Sequence, residues 1–158
     1  MILTVVSLIV VALDQVTKFL VLKSLSMNES VSLYPNILYL TPTQNSGTAF
    51  GLMANMEAFV RIPFFMAITA LAGVIVYFYQ KFVPSERHIT RVALGLVWGG
   101  ALGNFVDRML YGKVTDFIDM RYRGLQWYQF NLADTCITIG ILYLFFEFIW
   151  ASRRKTPA

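Results

Sequence analysis

Four apolar stretches, at about residues 2–22, 59–80, 90–107 and 132–150, constrain this chain more than anything else in it. A helix rises about 1.5 Å per residue, so roughly 20 apolar residues cross the ~30 Å hydrocarbon core of a bilayer. Each stretch therefore reads as a membrane-spanning helix, the third being the shortest because glycines thin it. Composition agrees: 57% of the 158 residues are hydrophobic and the mean hydropathy is +0.60, well above the soluble-globular norm. The length suits one integral membrane domain, residues 1–158, with outer loops at about 23–58 and 108–131 and no linker, repeat or low-complexity tract.

The first stretch is expected to be retained rather than cleaved. It lacks a basic leading region and a small-x-small cleavage site, and it carries Asp14 and Lys18 in its second half. A formal charge of +4 invites an anionic partner, but the basic residues are scattered among loops, which argues against nucleic acid. Their main cluster, Arg153, Arg154 and Lys155, suits an anchor beside anionic membrane lipids. Four spans put both termini on one side. That side holds six basic residues (Lys81, Arg87, Arg91 and the tail cluster) against five on the other (Lys23, Arg108, Lys113, Arg121 and Arg123). The balance leans toward cytoplasmic termini. Cys136 is alone, so no intrachain disulfide forms, and a small core thiol is its expected role.

Polar groups interrupt the apolar runs where hydrocarbon makes them expensive, and such residues usually mark a pathway or a reaction. Counted at ~1.5 Å per residue, Asp14 lies roughly 20 Å from the inner end of helix 1 and Asn104 at a similar height on helix 3. Asp134 enters helix 4 from the outside, and Asp116 follows helix 3 by a few residues. All four fall at one level, near the outer interface. The outer segments there look structured. Val31–Leu33 and Ile37–Leu40 flank the Pro35-Asn36 turn signal, and Leu125–Phe130 resembles a third strand. Tyr34, Tyr39, Trp127 and Tyr128 suit the headgroup zone. The expectation is a small β platform on the helix bundle, with a short interfacial helix at Thr48–Ala54.

Each constellation has a structural and a chemical reading. Asp14 and Lys18, four residues apart, make a mutually neutralising pair that snorkels to the interface, or else contact a substrate or active site. Gly95, Gly99 and Gly103, with Gly100 and Ala101, form a small-residue face for close helix contact, which would hold Asn104 and Asp107 against neighbouring helices. Asp107 and Arg108 suit a structural ion pair or a clamp on the loops. Asn45-Ser-Gly47-Thr is an ordinary polar turn, or one whose Asn45 donates to a substrate carbonyl. Asp116 lies between apolar neighbours, and Asp134, in the first turn of helix 4, could serve as a cap alone. Asp119 competes with Asp116 for its role.

One His and one Cys are too few for a zinc site. His88, in the cytoplasmic loop, is far from the outer acids, so no Ser-His-Asp triad is supported. A Ser46–Lys18 dyad has no spacing in its favour. Two carboxylates are then the main means left for acid–base chemistry. Close together they share a proton, one activating water while the other donates, without metal or cofactor.

The series Asp14-Gln-Val-Thr-Lys18, Asn45-Ser-Gly-Thr-Ala-Phe50, Gly99-Gly-Ala-Leu-Gly-Asn-Phe-Val-Asp-Arg108, Val114-Thr-Asp-Phe117 and Phe130-Asn-Leu-Ala-Asp134 closely resembles lipoprotein signal peptidase, the signal peptidase II family. Five motifs in the family's order, from helix 1 to helix 4, make the resemblance specific. It implies an all-α membrane fold, a four-transmembrane-helix bundle with a small extracytoplasmic β-cradle. It also implies a bacterial inner-membrane aspartyl endopeptidase, its active site facing the periplasm. The implied substrates are diacylglyceryl-modified prolipoproteins, cut immediately before the lipidated cysteine, and the implied inhibitors are globomycin-type cyclic peptides. By motif, Asp116 and Asp134 would be the catalytic dyad. Asp14, Asn45, Asn104, Arg108 and Asn131 would line or brace the site, with Lys18, Gly47, Asp107 and Ala133 also binding substrate or supporting the fold. Thr115 stands where a second valine is common, which leaves Asp116 in register.

Two rival readings remain. A small proton- or ion-coupled transporter would use Asp14, Lys18 and Asp134 as a relay, but it needs acids along the full membrane depth. Only Glu147 breaks the inner half, close enough to its end to snorkel. A non-catalytic assembly factor docking through the glycine-rich helix gives no reason for Asp116 and Asp134 to be acids.

Overall fold

Four helices of 23 to 25 residues form on the four apolar stretches: α1 (Ile2–Ser24), α2 (Ala58–Phe82), α3 (His88–Tyr111) and α4 (Leu132–Arg154). All four are long and apolar enough to cross a membrane. The computed structural model describes residues 1–47 and 56–154, so the helix expected at Thr48–Ala54 lies outside the described residues. The most buried of the four, α3 packs against each of the others. The remaining three turn large apolar side chains outward along much of their length, for example Phe19, Phe78 and Phe146. That is the surface expected of helices facing lipid rather than water.

The glycines that thin the third stretch are the reason it can be central. A Cβ on Gly99 would stand 2.8 Å from the Ser7 carbonyl oxygen of α1, and one on Gly100 would stand 2.4 Å from the Ala133 carbonyl oxygen of α4. Two helices thus approach α3 backbone to backbone, and Ser7 Oγ donates to the Gly95 carbonyl at 3.1 Å. Far from being the shortest helix, α3 runs through Asn104, Asp107 and Arg108 to Tyr111. Those polar groups stay helical because neighbours satisfy them. The helix stops at Gly112, whose φ of +68° is left-handed and whose N–H closes on the Arg108 carbonyl.

At the other end of the bundle the α2–α3 connection is short. Arg91 ties it down by donating to the Val83 carbonyl at 2.8 Å. Glu147 does not snorkel outward. Its Oε1 accepts from Thr90 Oγ1 at 2.7 Å and Arg87 Nη1 at 3.1 Å, fastening α4 to the start of α3.

A four-stranded antiparallel sheet caps the opposite end, in the order β1 (Val31–Tyr34), β2 (Leu38–Asn45), β3 (Val114–Tyr122), β4 (Leu125–Gln126). The sequence pattern located β1 and the start of β2. It placed a strand at Leu125–Phe130, where only Leu125–Gln126 and a bridge from Phe130 to Ile118 are found, and it overlooked β3. The physical reason is burial: the first four residues of β3 are buried on both faces, so polar and apolar residues do not alternate cleanly. Along β3, Val114, Asp116, Ile118, Met120 and Tyr122 share one face, and Thr115, Phe117, Asp119 and Arg121 the other. Leu40 pairs with Ile118 and Thr43 with Asp116, so β2 carries an extra residue at Thr41-Pro42. A bulge tolerates Pro42, which has no N–H for the ladder.

Candidate active site

The first turn of α4 is the scaffold of the site. Asn131 precedes it, and its Oδ1 accepts the Asp134 backbone N–H at 2.9 Å. Asp134 Oδ2 reaches back to the Asn131 N–H at 3.2 Å. This reciprocal exchange is a capping box, which satisfies two otherwise unpaired donors. A third donor, the Ala133 N–H, is met from another helix by Asp14 Oδ1 at 3.0 Å. Ala133 is fully buried against α3, so a larger side chain has no room.

The cap does more than start the helix. Since Asn131 Oδ1 must accept a backbone N–H, its Nδ2 is the donor aimed away from α4. It reaches Asp116 Oδ1 at 2.7 Å and Asn104 Oδ1 at 3.0 Å. Asn104 in turn donates from Nδ2 to Asp134 Oδ1 at 2.7 Å. Asp116 Oδ2 takes a second amide, from Asn45 Nδ2 at 2.9 Å. Asn45 Oδ1 is occupied by the Gly47 N–H at 2.9 Å, which orients that amide too. Asn131 thus touches both Asp116, through its side chain, and Asp134, through the cap.

Behind them lies a buried ionic cluster. Lys18 Nζ stands 2.8 Å from Asp14, 3.0 Å from Asp107 and 3.3 Å from Asn104 Oδ1. The expected Asp14–Lys18 pair therefore exists, but it does not snorkel: both are buried, and the lysine turns inward because a second carboxylate awaits it. Asp107 pairs with Lys18 rather than with Arg108, and its Oδ2 accepts the Thr115 N–H at 2.9 Å, fixing the start of β3. Arg108 lies over the Phe65 ring at 4.1 Å and donates to the Asn104 and Gly47 carbonyls at 3.4 and 3.5 Å, so it clamps loop to helix as a donor. The lysine's commitment to two acids leaves no free amine for a Ser46–Lys18 dyad.

Asp116, Asp134, Asn45, Gly47, Asn104 and Arg108 open on one cavity of about 910 Å³. Its other walls are largely apolar, among them Trp127, Phe130 and, on α4, Ile137 and Ile139. Burial, and then the neighbouring Asp134 charge, raise the Asp116 carboxyl to about 7, outweighing the two amide donors. Asp119 does not compete for this position. Three residues further along β3, it projects from the opposite face and is bound by Thr41 Oγ1, Gln126 Nε2 and Arg121. Burial opposes its charge, but those donors hold its carboxyl below the usual carboxylate range. His88 begins α3 at the far end of the bundle.

Three contributors escaped the sequence reading. Gln15 Nε2 bridges Asp107 Oδ1 (2.9 Å) and the Gly103 carbonyl (3.2 Å). Its place next to Asp14 was the available signal. The Thr115 backbone meets both Asp107 and Asn131, which no side-chain pattern reveals. Arg61, a cation inside an apolar helix, donates to the Met56 and Gly112 carbonyls and ties α2 to the end of α3.

Comparison with known proteins gives this geometry a family. The model of the family described as signal peptidase (SPase) II matches residues 6–150. The chain is 40% identical over 141 residues to the lipoprotein signal peptidase of Syntrophotalea carbinolica, covering 89% of this chain and 86% of that one. It is 35% identical over 150 residues to that of Bacillus subtilis, covering 95% and 94%. A solved bacterial membrane enzyme superposes with a TM-score of 0.82 at 30% identity, over 98% of this chain and 91% of its own. A second does so with a TM-score of 0.76 at 32% identity. The chain belongs to the signal peptidase II family: it is a bacterial multi-pass membrane protein with the lipoprotein signal peptidase activity of an aspartic peptidase.

Proposed function

We propose that Asp116 and Asp134 are the catalytic pair with which this peptidase removes signal peptides from diacylglyceryl-modified prolipoproteins, cutting before the lipidated cysteine. The observation that carries the reading is that one residue, Asn131, donates from its side-chain amide to Asp116 and from its backbone N–H to Asp134, both acids opening on a cavity that is polar at one side and largely apolar at the other. Two neighbouring carboxyls hold one proton between them. The ionised acid takes a proton from water as its oxygen attacks the scissile carbonyl, and the protonated acid donates to the carbonyl oxygen. Collapse of the tetrahedral diol breaks the C–N bond, with the pair returning a proton to the leaving amine. Water is consumed, and a carboxylic acid and an amine leave. Asn45 and Arg108 have donors within reach of the substrate backbone, and Asp14, Lys18, Asn104 and Asp107 hold the pair in position.

The apolar walls suit a substrate that arrives within the bilayer bearing acyl chains, and the same cavity would take globomycin-type cyclic peptides. The sheet end of the bundle then faces the periplasm and both termini the cytoplasm. Asp116→Asn and Asp134→Asn should each abolish cleavage of a lipidated precursor, in the presence of chelator, while the protein stays folded in detergent. Asp119→Asn should keep most of the activity. Full turnover by either of the first two variants sinks the assignment.

A further inference from the structure

Beyond the pair, the cavity does not end. The face of β3 that carries Asp116 continues through Met120 and Tyr122, and the cavity follows it. It adjoins a second recess of about 630 Å³ at the β1–β2 and β3–β4 turns, with Ile37, Arg121, Tyr122, Leu125 and Gln126 lining both. The recess ends at Arg121 and Arg123. Arg121 is neutralised by Asp119 and lies over Tyr39 at 4.2 Å. Arg123 is different. It stands at the turn with a left-handed φ of +50°, followed by Gly124 at +82°, its guanidinium exposed and 5.2 Å from the Tyr122 ring centroid. Among the described residues no carboxylate lies within salt-bridge distance of it. The two adjoining recesses therefore place an unneutralised cation beyond the space on which the two acids open.

We propose that this extension is the subsite for the mature part of the substrate, the segment after the cut bond, and that Arg123 makes it prefer acidic side chains there. The inference rests on the reading of Asp116 and Asp134 as the cutting site. The two directions out of the cavity are chemically unlike. One wall descends α4 along Ile137 and Ile139 toward hydrocarbon, which suits the signal helix and acyl chains. The other crosses the sheet, away from the helices, and that is the way the mature chain must leave. Asp116 and Arg121 are five residues apart on β3, about 17 Å at ~3.3 Å per residue. An extended substrate therefore brings its fourth to sixth mature residues, the lipidated cysteine being the first, beside the arginines.

The test uses full-length enzyme in detergent and three lipidated precursors whose fourth to sixth mature residues are Asp, Lys or Ser. For an exposed ion pair the expected preference of Asp over Lys is about two- to fivefold in kcat/KM, carried by KM, and shrinking as salt rises. Arg123→Glu should invert the preference and Arg123→Ala should erase it. Equal turnover of all three precursors, or a preference that survives Arg123→Glu, overturns the subsite while leaving the catalytic pair intact. Failure of the pair itself would instead appear as cleavage of the Ser precursor by Asp116→Asn.

Discussion

The Asn131 side chain does two jobs because an amide has two ends. Its oxygen is consumed by the helix cap and its nitrogen is thereby committed to Asp116. Asn45 repeats the arrangement with a turn N–H in place of the cap. These donors pull the Asp116 carboxyl down while burial and Asp134 push it up to about 7. A carboxyl near 3.9 when unfolded and near 7 when folded binds its proton more tightly in the native state. Its contribution is full below pH ~4 and is lost as pH rises through 7. The proposed mechanism uses that proton, so kcat/KM should fall above about pH 7. Asn45→Ala removes one stabiliser of the charged form and should move this limb upward by about one pH unit, read from a pH–rate profile. The aspartates were legible in the chain because charge is conspicuous in apolar surroundings. The wiring of Asn131 was not, since the direction of an amide depends on which partners arrive from other elements.

At the scale of elements, the decisive contact is between α3 and α4. Gly100 lets the Ala133 carbonyl approach so closely that a methyl group would collide with backbone rather than with a flexible side chain. Gly100→Ala should therefore displace the first turn of α4, and Asp134 with it. With Asp134 in its proposed role, a shift of ~1 Å at the reacting group costs about a hundredfold in rate, so activity should collapse more steeply than the thermal midpoint in detergent falls. Helix lengths were readable from hydropathy, except in α3, where glycine lowers the signal while strengthening the packing. The strand carrying Asp116 was hidden for a related reason. Period-2 alternation reports one wet face and one dry face, and the start of β3 has no wet face.

For the molecule as a whole, the acids gather at one end because every element that begins or stops there leaves polar backbone to satisfy. The end of α3, the start of β3 and the start of α4 meet around Asp14, Lys18 and Asp107. A transporter relay needs such groups spread across the bilayer. Here the opposite end holds only the Glu147 latch to Thr90 and Arg87 among the described residues' carboxylate contacts within the helices. The proposed orientation is open to direct measurement in a Cys136→Ala background. A membrane-impermeant maleimide should label a cysteine placed at Gly124 from outside intact cells, and one placed at Ser85 only after lysis. The reverse pattern would turn the protein over and put the site on the wrong side for its substrate.

Hydrophobic length, the height of each polar residue and the order of the motifs are one-dimensional properties, and the chain by itself determined them: four spans, acids at one level, a resemblance to one family. Tertiary structure alone decided that Lys18 turns inward between two acids, that Asp119 faces away from Asp116, and that one asparagine joins the two acids at the cavity. Each of those outcomes depends on the direction of a side chain relative to an element far away in sequence. Local spacing carries no information about that direction until packing brings the partner there.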